Sequence, residues 1–415
     1  MKTFPLTFTE LQSVTQKYPT PFYIYNDKAI RNNIRELQKA FSWNKGFKEY
    51  FAVKATPNPH ILSIFKEEDC GVECSSEAEL IMADKCGFHG DDIMFTSNST
   101  PWLEFVMARN LNALITLDDI NHIDYLRAHT NLPKLLSCRF NPERKIVYNS
   151  QTILDYEDYK FGFTKKDIIG GFKHLLNLGV ERMGIHSQFG CHRTETDYFK
   201  ENIRTLFLDI ADIYKNTNIP PAFINLAGGI GISYHEENSA SDIYTISTEI
   251  KKAYEEILIP LGLSTIPIYL ELGIYMTGPY GYFVASVLHI KENSKTYACL
   301  DASTNAFMTP CKYSNYHHIN IAGKEGLPST RTYDITGALC ENRDKFAIAR
   351  SLPELVPGDL VIFHDAGAYG YSHSNQFNGR LRPKELLVCE DGSIKQIRRN
   401  ETVEDYFRTL MFPQF

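Results

Sequence analysis

Short apolar runs alternate with longer amphipathic stretches through the first part of the chain, and no other feature narrows the fold as far. Runs at 22–25, 50–53, 71–74, 93–95, 113–116, 135–140, 182–186 and 223–226 have the length and apolar continuity of buried strands. Helix signals lie between them. Asp27 is placed to cap a helix over 27–41, Ser75 or Ser76 to cap the next, Pro101 stands near the start of another, and helical stretches cover 165–178 and 197–215. Strand and helix repeated about eight times over roughly 240 residues predict a parallel α/β barrel, the (β/α)8 TIM type. A doubly wound open sheet competes, but no Gly-x-Gly-x-x-Gly turn follows the first strand, which weakens its dinucleotide-binding version.

Beyond about residue 265 the pattern changes. Runs at 266–270, 281–290, 296–300, 317–321, 332–336, 359–363 and 385–388 are strand-like and mostly lack helices between them, with Gly337, Gly358, Gly367, Gly379 and Gly392 as punctuation. A mostly β second domain is expected, closed by a short helix over 401–411. A chain of 415 residues is long enough for both.

Composition excludes more than it proposes. A net charge of −7 and a pI near 6.0 argue against binding a nucleic acid polymer, which needs a basic surface. No apolar run approaches the length of a membrane span, and the first ten residues hold no signal-peptide core. The nine cysteines are scattered without Cys-x-x-Cys spacing, so neither a disulfide framework nor a zinc site is expected, and a reducing cytoplasm is the simplest home.

Five places carry chemical signals. Lys54 closes the run 50–53, before Ala55-Thr-Pro-Asn-Pro59 turns the chain. A buried strand-end ammonium is costly, and burial lowers its pKa toward the free amine that condenses with an aldehyde. A lysine reaching its charge into solvent satisfies the same residues. Asn225-Leu-Ala-Gly-Gly-Ile-Gly-Ile-Ser-Tyr234 feeds a strand into a glycine-rich turn whose backbone N–H groups suit an anion, although a tight turn alone also asks for such glycines. Glu271 ends the run 266–270, where a carboxylate needs a cationic partner: a protonated ring nitrogen, or a Lys or Arg. Gly337-Ala-Leu-Cys-Glu-Asn-Arg-Asp344 sets a thiol and two carboxylates in one loop, and Asp365-Ala-Gly-Ala-Tyr-Gly370 sets a tyrosine among small residues.

Taken in order, Phe51-Ala-Val-Lys-Ala55, Gly228-Gly-Ile-Gly-Ile-Ser-Tyr234, Glu271-Leu-Gly273, Cys340-Glu-Asn-Arg-Asp344, Pro357-Gly-Asp359 and Gly367-Ala-Tyr369 resemble the fold-type III pyridoxal-phosphate decarboxylases. The likeness is strongest to the diaminopimelate decarboxylases and runs from Tyr23 to Phe407. It implies a barrel over 27–265, a β-rich domain of 266–415 completed by 1–26, and a head-to-tail homodimer with active sites at the interface. It also implies pyridoxal 5'-phosphate, with Lys54 as its Schiff-base lysine and Glu271 as the partner of its ring nitrogen. By the same resemblance Gly228, Gly229, Gly231 and Gly273 are phosphate-loop positions, and Tyr369 reaches cofactor and phosphate. Cys340 matches the thiol donated across the interface to reprotonate the substrate carbanion, with Glu341 beside it for the substrate's distal amine.

The departures concern recognition. The family's Glu-Pro-Gly-Arg reads Glu271-Leu-Gly-Ile274, and its Arg-Pro-x-x-Tyr reads Thr309-Pro-Cys-Lys-Tyr313, which keeps Tyr313 on the substrate side but loses both arginines. The His-x-His-Ile-Gly-Ser-Gln segment reads His186-Ser-Gln-Phe-Gly-Cys-His192, so Gln188 stands where a histidine stacks on the cofactor, with His186 and His192 close by in sequence. The first glycine of the phosphate loop is Ala227, and Cys-Glu-Ser is Cys340-Glu-Asn342. Two lost guanidinium forks remove much of the grip on a distal carboxylate; Lys312 or Arg343 could supply charge in their place. The expected activity is α-decarboxylation of a modified or carrier-borne amino acid, for example an aminocarboxypropyl decoration of a microcin C-type peptide-nucleotide antibiotic. Ordinary meso-diaminopimelate decarboxylation and a catalytically inactive regulatory homologue are the alternatives.

Overall fold

The structure, a computed structural model, describes residues 2–148, 151–155, 158–188, 190, 194, 196–237, 241–313 and 315–413. The chain forms two compact units: Arg31–Ile232 with Ala240–Tyr275, and Met1–Ile30 with Ser233–Ser239 and Met276–Phe415.

In chain order, strand β1 is Phe22–Asn26, followed by β2 (Lys48–Ala52), β3 (Gly71–Cys74), β4 (Ile93–Thr96), β5 (Leu114–Leu117) and β6 (Leu135–Arg139). A two-stranded antiparallel excursion, β7 (Lys145–Tyr148) and β8 (Gln151–Asp155), precedes β9 (Arg182–His186), β10 (Pro221–Asn225) and β11 (Ile268–Leu270). The first unit is a closed parallel barrel in the order β10, β11, β2, β3, β4, β5, β6, β9.

Alternation along each strand explains how a polar site arises on an apolar frame. Tyr50, Met94, Leu114 and Phe223, with Leu135 and Tyr269 against them, form one buried cluster. Two residues further along each strand the same face is reached again. Met94 is thus followed by Thr96, Leu114 by Thr116, Leu135 by Ser137 and then Arg139, Phe223 by Asn225, and Tyr269 by Glu271. Register ties these positions into one ring: Thr96 pairs with Thr116, Thr116 with Ser137, Arg139 with His186, and His186 with Asn225. An apolar plug below and a polar layer at the strands' C-terminal ends follow directly. The opposite face packs on helices, as where Phe51 stacks on Phe65 of the helix Pro59–Glu67 with ring centroids 3.8 Å apart.

The second unit is a mixed sheet containing β12 (Gly281–Glu292), β13 (Thr296–Leu300), β14 (Ile319–Ile321), β15 (Arg331–Thr336), β16 (Lys345–Leu352), β17 (Leu360–Phe363), β18 (Lys384–Val388) and β19 (Ile394–Arg398). The N-terminal segment completes it. β1 lies between β12, antiparallel, and β18, parallel, and Phe22 and Ile24 share a core with Leu11, Tyr282, Val284, Ile362 and Leu386.

Several sequence expectations need correction. The barrel boundary differs from the expected residue 265, for the eighth barrel strand is Ile268–Leu270, while the run 22–25 lies in the mixed sheet with the rest of the N-terminal segment. Asp27 does not cap its helix. It occupies the first turn, while Asn26 Oδ1 accepts the Ala29 N–H at 3.1 Å. Strands β16 and β19 and the β7–β8 pair were not anticipated. The closing helix is shorter than expected, Val403–Phe407.

Candidate active site

β2 stops at Ala52, and Val53–Ala55 makes a single 3-10 turn that carries Lys54 past the strand end. The lysine is therefore not the buried strand-end amine the sequence suggested, since 47% of its side chain is exposed. Its charge is met instead by Glu73 at the end of β3, in a short ion pair with a carboxylate only 2% exposed. Ser75 Oγ donates to the other Glu73 oxygen at 2.8 Å. Glu73 was missed; the signal was an acid in the otherwise apolar run 71–74. Beside it, burial pushes Glu79 up to about 7, the Glu73 charge adding to the effect, although the Ser75 N–H donates to Glu79 at 2.7 Å.

The turn after β10 brings three stretches of backbone into contact. Gly229 has φ +107° and faces Gly190; a Cβ on Gly229 would fall 2.2 Å from the Gly190 carbonyl carbon, and one on Gly190 2.7 Å from that of Gly229. A Cβ on Gly228 would fall 2.5 Å from the Glu271 carbonyl oxygen. Only glycine leaves these backbones room to approach. Gln188 Nε2 donates to the Gly190 carbonyl at 2.9 Å, Gly231 O accepts from Ser241 Oγ at 2.8 Å, and Gly273 lies buried in the bend after β11.

Glu271 is buried beside this turn. Asn225 Nδ2 donates to its Oε1 at 2.6 Å, and His186 Nε2 stands 3.4 Å from its Oε2. Burial opposes its ionisation, but His186, Lys54 and Asn225 outweigh that and hold the carboxyl below the ordinary carboxylate range. His186 is buried, and neither ring nitrogen has a hydrogen-bond partner among the described residues. Lys54, Glu73, His186, Gln188, Glu271 and the glycines 228 and 229 thus all belong to the C-terminal rim of one barrel, where such enzymes build their sites.

The remaining candidates belong to the second unit. Tyr369 has φ +58°, unusual for an aromatic residue, and stacks on His373 with centroids 5.5 Å apart. Cys340 and Glu341 are exposed in a loop organised by buried Asp344, whose carboxylate accepts the Thr304 and Leu339 N–H groups at 2.7 and 2.8 Å. The Cys340 N–H donates to Asn378 Oδ1 at 3.0 Å. Tyr313 ends the helix Thr309–Tyr313; its side chain, and His192 altogether, lie outside the described residues. Among the described residues eight cysteines are free, no group of three or more His, Cys, Asp or Glu could hold a metal, and no helix is long and apolar enough to cross a membrane.

A closed parallel barrel whose rim joins an ion-paired lysine, a buried ionised carboxylate and a glycine cradle defines a class: barrel enzymes that hold an anionic cofactor at the strand ends. The pyridoxal binding domain of the pyridoxal-dependent decarboxylases matches residues 27–278, and the chain belongs to that family. It is 36% identical to Protein TabA of Pseudomonas amygdali pv. tabaci, covering 97% of this chain and 93% of that one. It is 33% identical to the diaminopimelate decarboxylase of Methanothermobacter thermautotrophicus, covering 96% and 94%. Among solved structures it superposes on diaminopimelate decarboxylase from M. jannaschi with a TM-score of 0.88 and 25% identity, covering 97% and 94%. The Helicobacter pylori enzyme complexed with L-lysine gives 0.86 and 26%, covering 96% and 98%.

The cofactor is pyridoxal 5'-phosphate, and the residues present fit it. Gly190, Gly228 and Gly229 form a cradle that a Cβ would fill, His186 offers a buried ring beside Glu271, and Glu271 is a buried carboxyl held below the ordinary carboxylate range. The enzyme is a carboxy-lyase acting on an amino acid.

Proposed function

We propose that the enzyme removes the α-carboxylate of a modified or carrier-borne amino acid, such as an aminocarboxypropyl group on a peptide-nucleotide antibiotic. One observation carries this reading: where the diaminopimelate decarboxylases place two arginines, this chain has Ile274 and Thr309. Ile274 is half-buried at the start of the helix Ile274–Thr277, and Thr309 is buried with its hydroxyl unpartnered among the described residues. Neither forms the two parallel N–H···O bonds that select a distal carboxylate. A substrate presented on a larger molecule does not need that grip.

When bound, pyridoxal phosphate supplies a conjugated ring that takes up the electron pair left at Cα as carbon dioxide departs. Lys54 would hold the cofactor through its aldehyde, its amine being the group at this rim able to condense with one. Glu271, kept ionised in a buried setting, holds the proton on the ring nitrogen. Backbone N–H groups at Gly228, Gly229 and Gly231, with Gly273 beside them, would take the phosphate charge, the part the family resemblance also gives to Tyr369. His186 and Gln188 line the ring, Gln188 also steadying Gly190 through its amide. Cys340 delivers the proton to Cα, Glu341 holds the substrate's distal amine, and Tyr313 belongs to the substrate side. The working form is a homodimer in which Cys340 and Glu341 serve the partner's barrel.

A second reading, ordinary meso-diaminopimelate decarboxylation, is favoured by the name borne by the 33% identical relative. Carbon dioxide release from diaminopimelate, ornithine, lysine and aminocarboxypropylated nucleotides, measured side by side, separates the two. The conjugate is expected to give the highest kcat/KM. Equal or faster release from diaminopimelate rejects the carrier-borne substrate and leaves the second reading.

A further inference from the structure

Asn225 ends β10, is fully buried, and is bonded at both ends of its amide. Nδ2 donates to Glu271 Oε1 at 2.6 Å, and Oδ1 accepts the Ala227 N–H at 2.8 Å. The backbone closes the same circuit, for the Glu271 N–H donates to Ala227 O at 2.8 Å and the Ser187 N–H to Asn225 O at 2.9 Å. A short amide offers donor and acceptor on separate atoms at fixed spacing without adding charge, which a carboxylate or hydroxyl of that length does not. Ala227 needs such support: its φ is +55°, where an L side chain is strained, and it opens the turn that continues into Gly228 and Gly229. His186 does not duplicate the bond, since it faces the other Glu271 oxygen at 3.4 Å.

We propose that Asn225 is a positioning residue whose buried amide registers the Glu271 carboxylate against the glycine turn, fixing the spacing between the group that meets the cofactor's ring nitrogen and the backbone that meets its phosphate. The inference rests on the roles given above to Glu271 and to residues 228–229. Loss of the amide has two consequences. Glu271 loses its closest donor, so its proton affinity rises, and Ala227 loses the bond that holds it in the left-handed region.

The test uses holoenzyme carrying Asn225→Ala, Glu271→Gln, or both. Three quantities are read: the dissociation constant of pyridoxal phosphate, the pH titration of its visible absorbance, and the separate values of kcat and KM. Asn225→Ala is expected to weaken cofactor binding by roughly tenfold to a hundredfold, the range for a hydrogen bond to a charged group. It should also move the titration to higher pH and lower kcat with little change in KM. In the Glu271→Gln background the same substitution should no longer move the titration and should weaken binding less, because only the charge-assisted part of the bond is gone while the part that runs through Ala227 remains. Asn225→Ser, which keeps a hydroxyl, should recover part of the loss and is read by the same criteria if the alanine variant does not fold. Unchanged affinity and titration in a folded Asn225 variant, or an equal loss in both backgrounds, overturns the proposal. A Glu271→Gln enzyme indistinguishable from the parent overturns the role of Glu271 and the proposal with it. An affected Glu271→Gln enzyme beside an unaffected Asn225 variant overturns the proposal alone.

Discussion

At the scale of single residues, Lys54 has surroundings that differ from those its sequence suggests. Its place after an apolar run and before Ala55-Thr-Pro marks it in the sequence, but desolvation is not what sets its environment. A 3-10 turn lifts it off the strand, and Glu73 takes its charge. That pairing was illegible because Glu73 lies 19 positions away, and only barrel register brings β3 beside β2. Lys54→Arg is therefore expected to keep the ion pair and the fold but abolish turnover, since a guanidinium does not condense with an aldehyde under these conditions. Carbon dioxide release and the visible absorbance of protein-bound cofactor are the measurements; activity in Lys54→Arg would remove Lys54 from the covalent chemistry. Ala227 makes the opposite case, a departure from glycine visible in the sequence whose cost only the backbone reveals. Ala227→Gly should raise stability by about 0.5–1 kcal/mol, the left-handed strain relieved less the extra chain entropy of glycine. Urea denaturation checks this, and a fall in the midpoint would mean that packing of the Ala227 methyl outweighs the backbone strain.

At the scale of elements, strands with unbroken apolar runs were legible and those held by context were not. β3 to β6, β9 and β10 announce themselves by composition, whereas β16 contains Lys345, Ala347, Ala349, Arg350 and Ser351 and bends at Ala349, φ +49°. Its strand character comes from pairing with β15, which no local propensity encodes. The run 266–270 reads as a strand but does not reveal which sheet it joins; that is fixed by closure between β10 and β2. The seam between β11 and β2 also holds a buried acid. Glu49 accepts the Leu272 N–H at 2.8 Å through one oxygen, and its other oxygen has no partner among the described residues. Burial raises its pKa well above the usual value, with the charge of Glu271 adding to the effect against the Leu272 bond. The sign follows from proton binding: a folded state that holds this proton more tightly gains stability below the unfolded pKa, near 4.3, and loses it as pH rises toward the folded value. Glu49→Gln keeps the acceptor and removes the titration. Its unfolding free energy, compared with the parent at pH 5, 6, 7 and 8, should fall less steeply, the difference in slope reaching at most about 1.4 kcal/mol per pH unit for one proton. Parallel curves would show that Glu49 does not carry the proton.

At the scale of the whole molecule, the proposed chemistry divides between residues that a single barrel gathers and residues that it does not. Lys54 and Glu271 belong to the barrel unit, while Cys340 is an exposed thiol on a loop of the other unit, held in shape by Asp344 and Asn378 rather than by a partner of its own chemistry. In the proposed dimer this exposed thiol would complete the site of a second copy of the chain, and a twofold axis would use each loop once. This arrangement has a consequence that no account within a single subunit shares. Lys54→Ala homodimers lack the amine at both sites, and Cys340→Ala homodimers lack the proton donor at both, so each preparation alone should be inactive or nearly so. In a heterodimer with a shared interface, one site collects both substitutions and the other collects neither. Random exchange of the two variants at equal concentration makes half the dimers mixed, and half the sites in those are intact, so mixing should restore about one quarter of parental activity. Measured after co-refolding or prolonged co-incubation, that recovery would place Cys340 across the interface. If exchange is demonstrated, for instance by tagged subunits, and activity does not return, Cys340 acts within its own subunit or not at all.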